Sequence, residues 1–379
     1  MDKANAALAT YLIERQTPLH LVGHKVDPEF LTQPGVAVHI VPCPAGSFLL
    51  GEWLLERRGQ EVARDISVRW PGTRVLVNGG NCNWADINWV HCVHHAWGFC
   101  DDDAPAWFRV KNRVAKSWAR RRERLAIRGA RVILTNSERT RRDLVNYLGV
   151  AQNHIHVVYL GTDPAWGPAT LEERAAAREW LGVSTKRPLV IFIGALGHDQ
   201  GKGFDTLWSA WQALCTRPDW DADLIVAGGG GGVATWQARI TQAALGGRVR
   251  LLGFTDRVAD VLAAADLLVS PARYEAYGLS VQEAICRGVP ALVSGRAGVA
   301  ERYTPDLAEM TLPHPEDAVD LAARLLHWRS KIDYWKERFL PLASALRGYT
   351  WTDMARQIVS IAQSSEAFLD SQEYSRLST

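Results

Sequence analysis

The chain reads as an α/β protein built from two doubly wound parallel-sheet domains. Three observations predict this. Its 379 residues exceed what one hydrophobic core usually organises. Short apolar runs, such as Ala130–Thr135 and Pro188–Gly194, alternate with helix-period stretches across short connections. The alternation occurs twice, before and after about residue 162. The expected division is therefore 1–162, 163–346, a C-terminal helix at 347–364 packing back toward the first domain, and a frayed Ser-rich tail at 365–379.

The elements follow in order. Residues 3–14 have the helical spacing of Ala7, Leu8, Tyr11 and Leu12. Apolar runs at 19–22, 36–41 and 74–78 read as strands, with a helix around 47–66 between the last two. Residues 87–94 read as a strand that runs into His95. Residues 105–129 form a long basic helix. The strand 130–135 leads to Ser137, which has the chemistry of a helix N-cap. A strand at 155–159 closes the first domain. In the second, strands are expected at 188–194, 223–228, 248–254, 265–269 and 291–294. Helices are expected to open near Gly203, at 256–264, near Gly278, and over 315–330, 331–346 and 351–364.

Composition narrows the class. Hydrophobic residues at 47%, charged residues at 22% and a net charge of +2 describe an ordinary globular protein, with no charge excess that would favour nucleic acid. No run of 18 apolar residues reads as a membrane span, and no signal-peptide pattern is present. Six scattered cysteines without Cys-x-x-Cys read as reduced thiols, so a cytoplasmic setting is expected.

Residues 265–290 carry the chemistry. A buried strand runs into a loop, and a helix starts near Gly278 and stops at Gly288 and Pro290. A helix N-terminus at the carboxyl end of such a strand offers N–H groups to an anion. Glu275 sits just before that terminus and Glu283 more than a turn inside. Carboxylates repel an anion, so their natural targets are hydroxyls. The stretch suits a ligand with both phosphate and hydroxyl groups. Lys202, after a strand and a glycine-rich turn, can neutralise a diphosphate.

Two glutamates in the setting Glu275-Ala-Tyr-Gly-Leu-Ser-Val-Gln-Glu283 resemble the signature of retaining glycosyltransferases of family 4. The resemblance covers residues 1–345 and is strongest over 188–303. It implies the GT-B architecture, two Rossmann-like domains facing across a cleft that holds the active site. It implies that Glu283 holds the ribose of a nucleotide-sugar donor and that Glu275 contacts the donor sugar. Lys202, Gly203 and the backbone amides of Tyr277, Gly278, Leu279 and Ser280 would hold the diphosphate. Phe254, in the turn Gly253-Phe254-Thr255-Asp256, would lie at the base; the alternative places it in the core. No metal or cofactor is implied beyond the donor itself.

This chain departs from the family in two places. The arginine usual after the strand glycine is Ala195, so Lys202 acts alone or with Arg273 or His198. A strand and a Gly-Gly loop usually precede the first helix. Neither is present, so the first domain is expected to lack its central strand, and a longer natural form is expected.

Other features stay open at this level. The family places a histidine at a first-domain strand end, facing the transferred sugar; His94 fits, with His91 and His95 as rivals. The same cluster, His91 to Asp103 with Cys92 and Cys100, carries zinc-ligand chemistry, which would make the chain a metal-dependent hydrolase, although its spacing matches no standard zinc pattern. The five glycines 228–232 suit either close backbone approach to a nucleotide or a flexible linker. Residues 109–131 carry ten Lys or Arg and one acid, Glu123, with Trp107, Phe108 and Trp118 near. Such a helix can lie on anionic lipid at the inner membrane face, or present a solvated face. The expectation is thus a glycosyltransferase acting on an unknown acceptor, the alternatives being a nucleotide-sugar-binding protein without turnover and the hydrolase.

Overall fold

A computed structural model describes residues 2–44, 48–98 and 104–377. The chain divides into two compact units. The first comprises 1–97, 110–161 and 350–379, and the second 98–109 and 162–349. The units divide at 161/162, against the 162/163 read from the sequence, and residues 98–109, with the first turn of the long basic helix, group with the second unit.

The first unit runs α1 (Asp2–Glu14), β1 (Leu19–Gly23), β2 (Val36–Ile40), α2 (Phe48–Arg69), β3 (Leu76–Asn78), β4 (Ile87–Val90), α3 (Ala106–Gly129), β5 (Val132–Thr135), α4 (Glu138–Leu148) and β6 (Ile155–Val157). All pairings are parallel, but they form two ladders, β1-β2 and β3-β4-β5-β6. β4 and β5 are buried at every position, as strands covered on both faces should be. β1 is only half-buried along its whole length. Among the described residues, no strand joins the two ladders. The core gathers Val90, Val93, Ile127, Ile133, Leu144, Leu148 and Ile155. Ser137 caps α4 as expected, its hydroxyl accepting from the Thr140 amide at 3.0 Å.

The second unit runs α5 (Leu171–Leu181), β7 (Leu189–Ile193), α6 (Phe204–Cys215), β8 (Asp223–Ala227), α7 (Val233–Gln242), β9 (Val249–Gly253), α8 (Val258–Ala264), β10 (Leu267–Ser270), α9 (Leu279–Cys286), β11 (Ala291–Ser294), β12 (Thr311–Leu312), α10 (Ala318–Ser330) and α11 (Ile332–Arg347). Its six strands form one parallel sheet in the order β12-β11-β10-β7-β8-β9. That order reverses direction between β7 and β10. In open α/β sheets such a reversal opens a crevice at the strands' carboxyl ends.

The last helix, α12 (Trp351–Leu377), belongs to the first unit and lies against α1 and β5. It continues past 364, where the sequence reading ends the helix. No glycine or proline interrupts 351–377, so nothing local stops the helix.

Candidate functional site

At the switch point two loops are stitched together. The loop after β7 carries Lys202 and the loop after β10 carries Glu275. Lys202 Nζ lies 2.5 Å from Glu275 Oε2. Three further ties hold the loops in register. The Arg273 amide donates to Gly201 O at 2.9 Å. The Arg273 guanidinium clamps Asp205 at 2.7 and 2.6 Å. Gly203, at φ +72°, lies so close to Pro271 that an added Cβ would sit 2.0 Å from its carbonyl oxygen. A glycine is needed there for close approach and for the left-handed backbone.

From Glu275 the chain turns into α9 through Gly278, at φ +106°. The turn is held from outside. Glu275 forms a parallel bridge with Ala297, the Gly298 amide donates to Glu275 O, and the Val299 amide donates to Tyr277 O at 2.7 Å. Leu279 and Ser280, the first residues of α9, thus carry N–H groups that lack helical partners. Glu283 is half-buried one turn further on. Phe254 follows β9 and is 86% exposed, which removes the core reading of that residue.

In the first unit one carboxylate organises the turn after β4. Glu123, on α3, is wholly buried. Its Oε1 accepts from the His94 amide at 2.7 Å and lies 3.1 Å from His94 Nδ1. Its Oε2 accepts from the His95 amide at 3.1 Å and lies 2.6 Å from His95 Nδ1. Burial by itself would raise this carboxyl, but the bonds from His94 and His95 outweigh it and hold Glu123 below the usual carboxylate range. The imidazoles differ in access. His94 is 38% exposed and His95 13%. His91 packs on Trp89 at 4.3 Å between ring centres, and its Nε2 is buried without a partner among the described residues. Of the three rivals, His94 is the one that offers a free edge. Next to Glu123, buried Arg122 holds Glu52 at 2.8 Å, Glu56 at 3.3 Å and Asn81 O at 2.7 Å. α3 is therefore not a uniformly solvated basic helix.

The profile described as Glycosyltransferase Family 4 matches residues 4–166, and that described as Glycosyl transferases group 1 matches 173–338. The chain belongs to the GT-B glycosyltransferases of family 4. It is 32% identical over 209 residues to 2-deoxystreptamine glucosyltransferase of Streptomyces kanamyceticus, covering 53% of this chain and 51% of that protein. It spans about half the length of the first curated relatives it matches. Its fold is shared with a sucrose-phosphate synthase of Thermosynechococcus elongatus (TM-score 0.74, 18% identity, covering 95% and 92% of the two chains). It is also shared with Anabaena HepE, solved with UDP and glucose (TM-score 0.69, 18% identity, 95% and 96%).

Within this chain the expected residues fall into two sets. Lys202, Glu275, Leu279, Ser280 and Glu283 gather around the start of α9. Gly203 and the side chain of Tyr277 are taken up by packing. Gly203 is buried against Pro271, and Tyr277 is buried with its hydroxyl donating to Gln282, because the turn into α9 must be anchored in the core. Arg273 is no helper for Lys202, since both its ends are spent on Asp205 and Gln200 O. The glycine run is no flexible linker. An added Cβ at Gly228 would meet Gly194 O at 1.8 Å, and beside it the Leu196 amide donates to Gly229 O while the Gly232 amide donates to Leu196 O.

Glu123 escaped the sequence reading. Its one signal was a lone acid among ten cations, which marks a buried partner rather than a solvated face. Among the described residues no three His, Cys, Asp or Glu are placed to hold a metal; Cys100 and Asp101–Asp103 lie outside them. The hydrolase reading thus rests on no assembled site.

His91 yields a pH prediction. Burial pushes its imidazole down to about 3, well below an unfolded value of 6.5. The unfolded chain then binds a proton that the folded chain refuses. Stability from keeping His91 neutral is complete above pH 6.5 and is lost as pH falls toward 3, by up to about 1.4 kcal/mol per pH unit. Urea unfolding between pH 7 and 5 is expected to show a slope that His91→Phe reduces; an unchanged slope would contradict it.

Proposed function

We propose that this chain transfers a sugar from a nucleoside diphosphate sugar to an acceptor, with retention of the anomeric configuration. The observation that carries the proposal is the Lys202–Glu275 pair lying before the α9 N-terminus at the sheet's switch point. The Lys202 ammonium and the Leu279 and Ser280 amides suit the diphosphate, whose negative charge grows as the sugar leaves. When the donor arrives, its phosphate competes with Glu275 for Lys202, which frees the carboxylate for sugar hydroxyls. Glu283 suits the ribose, and exposed Phe254 suits stacking on a base. His94, oriented by Glu123, is the group assigned from the first unit. Charge on the leaving group is neutralised by protein groups, so turnover is proposed to need no metal.

Uridine is the first base to try, because the Anabaena neighbour was solved with UDP. Full-length protein with UDP-glucose in EDTA is expected to release UDP when an acceptor panel is supplied. The product anomer, read by proton NMR, should match the donor. Binding of nucleotide sugars across a donor panel with no sugar released would favour a binding protein, a reading that Ala195 supports. Activity abolished by EDTA and restored by a divalent ion would overturn metal independence.

We also propose that α3 docks on an anionic membrane surface. Trp107, Val110, Val114, Trp118 and Leu125 are exposed along one stripe of the helix. Lys111 and Arg121 flank it. No helix among the described residues is long and apolar enough to cross a membrane, so the contact would be peripheral. Trp107→Ser with Trp118→Ser is expected to weaken co-sedimentation with phosphatidylglycerol vesicles roughly tenfold. Equal binding to phosphatidylcholine vesicles, or no loss in the double variant, would remove the proposal.

A further inference from the structure

The second unit carries another cavity, at the opposite end of its strands. Ala263, Ala265 and Val289 line it and lead into β10 and β11. It therefore opens at the amino ends of the strands, whereas Lys202 and Glu275 follow the carboxyl ends. Its volume is about 250 Å³. Its lining brings together four cations, Arg174, Arg287, Lys336 and Arg347, with one carboxylate, Glu337.

Such a gathering of like charge is unfavourable unless something opposes it. Part of it is opposed from behind. Arg174 lies 2.6 Å and Lys336 3.6 Å from buried Asp266, and Arg287 lies 3.0 Å from Glu173. Part of it is not. Arg287 is only 10% exposed; its Nη1 donates to Gly167 O at 3.2 Å and its Nη2 to Glu173, which leaves Nε alone without a partner among the described residues. A buried donor left unmade is costly and calls for an acceptor. Arg347 gives Nη1 to Cys286 O at 3.0 Å, the one hydrogen bond it makes among the described residues, so the rest of its fork is uncommitted. Two guanidinium groups with spare donors and a lysine ammonium fit the oxygens of a phosphate. Pro168, Val289 and Leu340 supply an apolar wall for a carbon skeleton.

We infer that this groove binds a small phosphate-bearing molecule, separately from the donor site. The test uses the full chain carrying Lys202→Ala, so that the candidate donor site is weakened. Inorganic phosphate is titrated calorimetrically at constant ionic strength. One saturable site is expected, unaffected by added UDP. Its affinity should fall roughly ten- to a hundredfold in Arg347→Ala, the loss of one charge-assisted contact. Lys336→Glu should weaken it at least as much. Lys336 is half-exposed, so this variant decides the matter if Arg347→Ala does not fold. No saturable heat, an unchanged affinity in Lys336→Glu, or displacement of phosphate by UDP would overturn the inference.

Discussion

Replacing Lys202 with alanine is expected to lower kcat/KM for a nucleotide-sugar donor roughly ten- to a hundredfold. The basis is the loss of one charge-assisted contact to phosphate, about 1.5–3 kcal/mol. The loss should fall more on kcat than on donor binding. Charge accumulates on the diphosphate as the sugar departs, so the ammonium is worth more in the transition state than in the ground state. The fold should tolerate the change. Lys202 is part-exposed and its ion pair is with Glu275, so melting should move little. The double variant Lys202→Ala with Glu275→Gln sharpens the reading. If the pair serves only to hold the two loops together, the second change should add nothing. If each group meets a different part of the donor, it should add a further loss. Unchanged kinetics in Lys202→Ala across a donor panel would remove Lys202 from the site.

Glu123→Ala is expected to be the more damaging change to the molecule itself, by roughly 2–5 kcal/mol. The carboxylate accepts two backbone amides and faces two imidazole nitrogens in a position closed to water. Its removal leaves buried donors without acceptors, each costing about 1–3 kcal/mol, and a void between α3 and the turn after β4. Glu123→Gln keeps one good acceptor and should cost less. Turnover in Glu123→Gln should still fall, because the amide cannot hold both rings, and His94 loses the partner that orients it. Thermal unfolding and kcat measured on the same preparations separate the two effects. Full stability with full turnover in Glu123→Ala would show that the geometry around His94 is incidental.

The legible and illegible parts of this protein divide along a physical line. Helix and strand periods are local, so the parallel α/β character, the division near residue 162 and the start of α9 at Gly278 could be read from neighbours in the chain. The glutamate signature is local too, spanning 275–283, and so is Lys202 beside its glycine turn. These determined the family and the candidate site residues.

What the chain could not reveal depended on strand order. Lys202 and Glu275 are 73 residues apart and pair only because β7 and β10 are neighbours where the sheet reverses. Glu123 and His94 are 29 residues apart and meet only once α3 packs under the turn after β4. Of Tyr277 the sequence offers a backbone amide at the start of α9; that its side chain turns into the core and anchors the helix start only the tertiary structure decided. Arg273 looked available, and the clamp on Asp205 spent it. The separate ladders of the first unit were likewise settled by which strands found partners. Sequence by itself determined which chemical groups this protein has at hand. Tertiary packing decided which of them remain free to act, because a polar side chain taken out of water must spend its hydrogen bonds on whatever the fold places beside it.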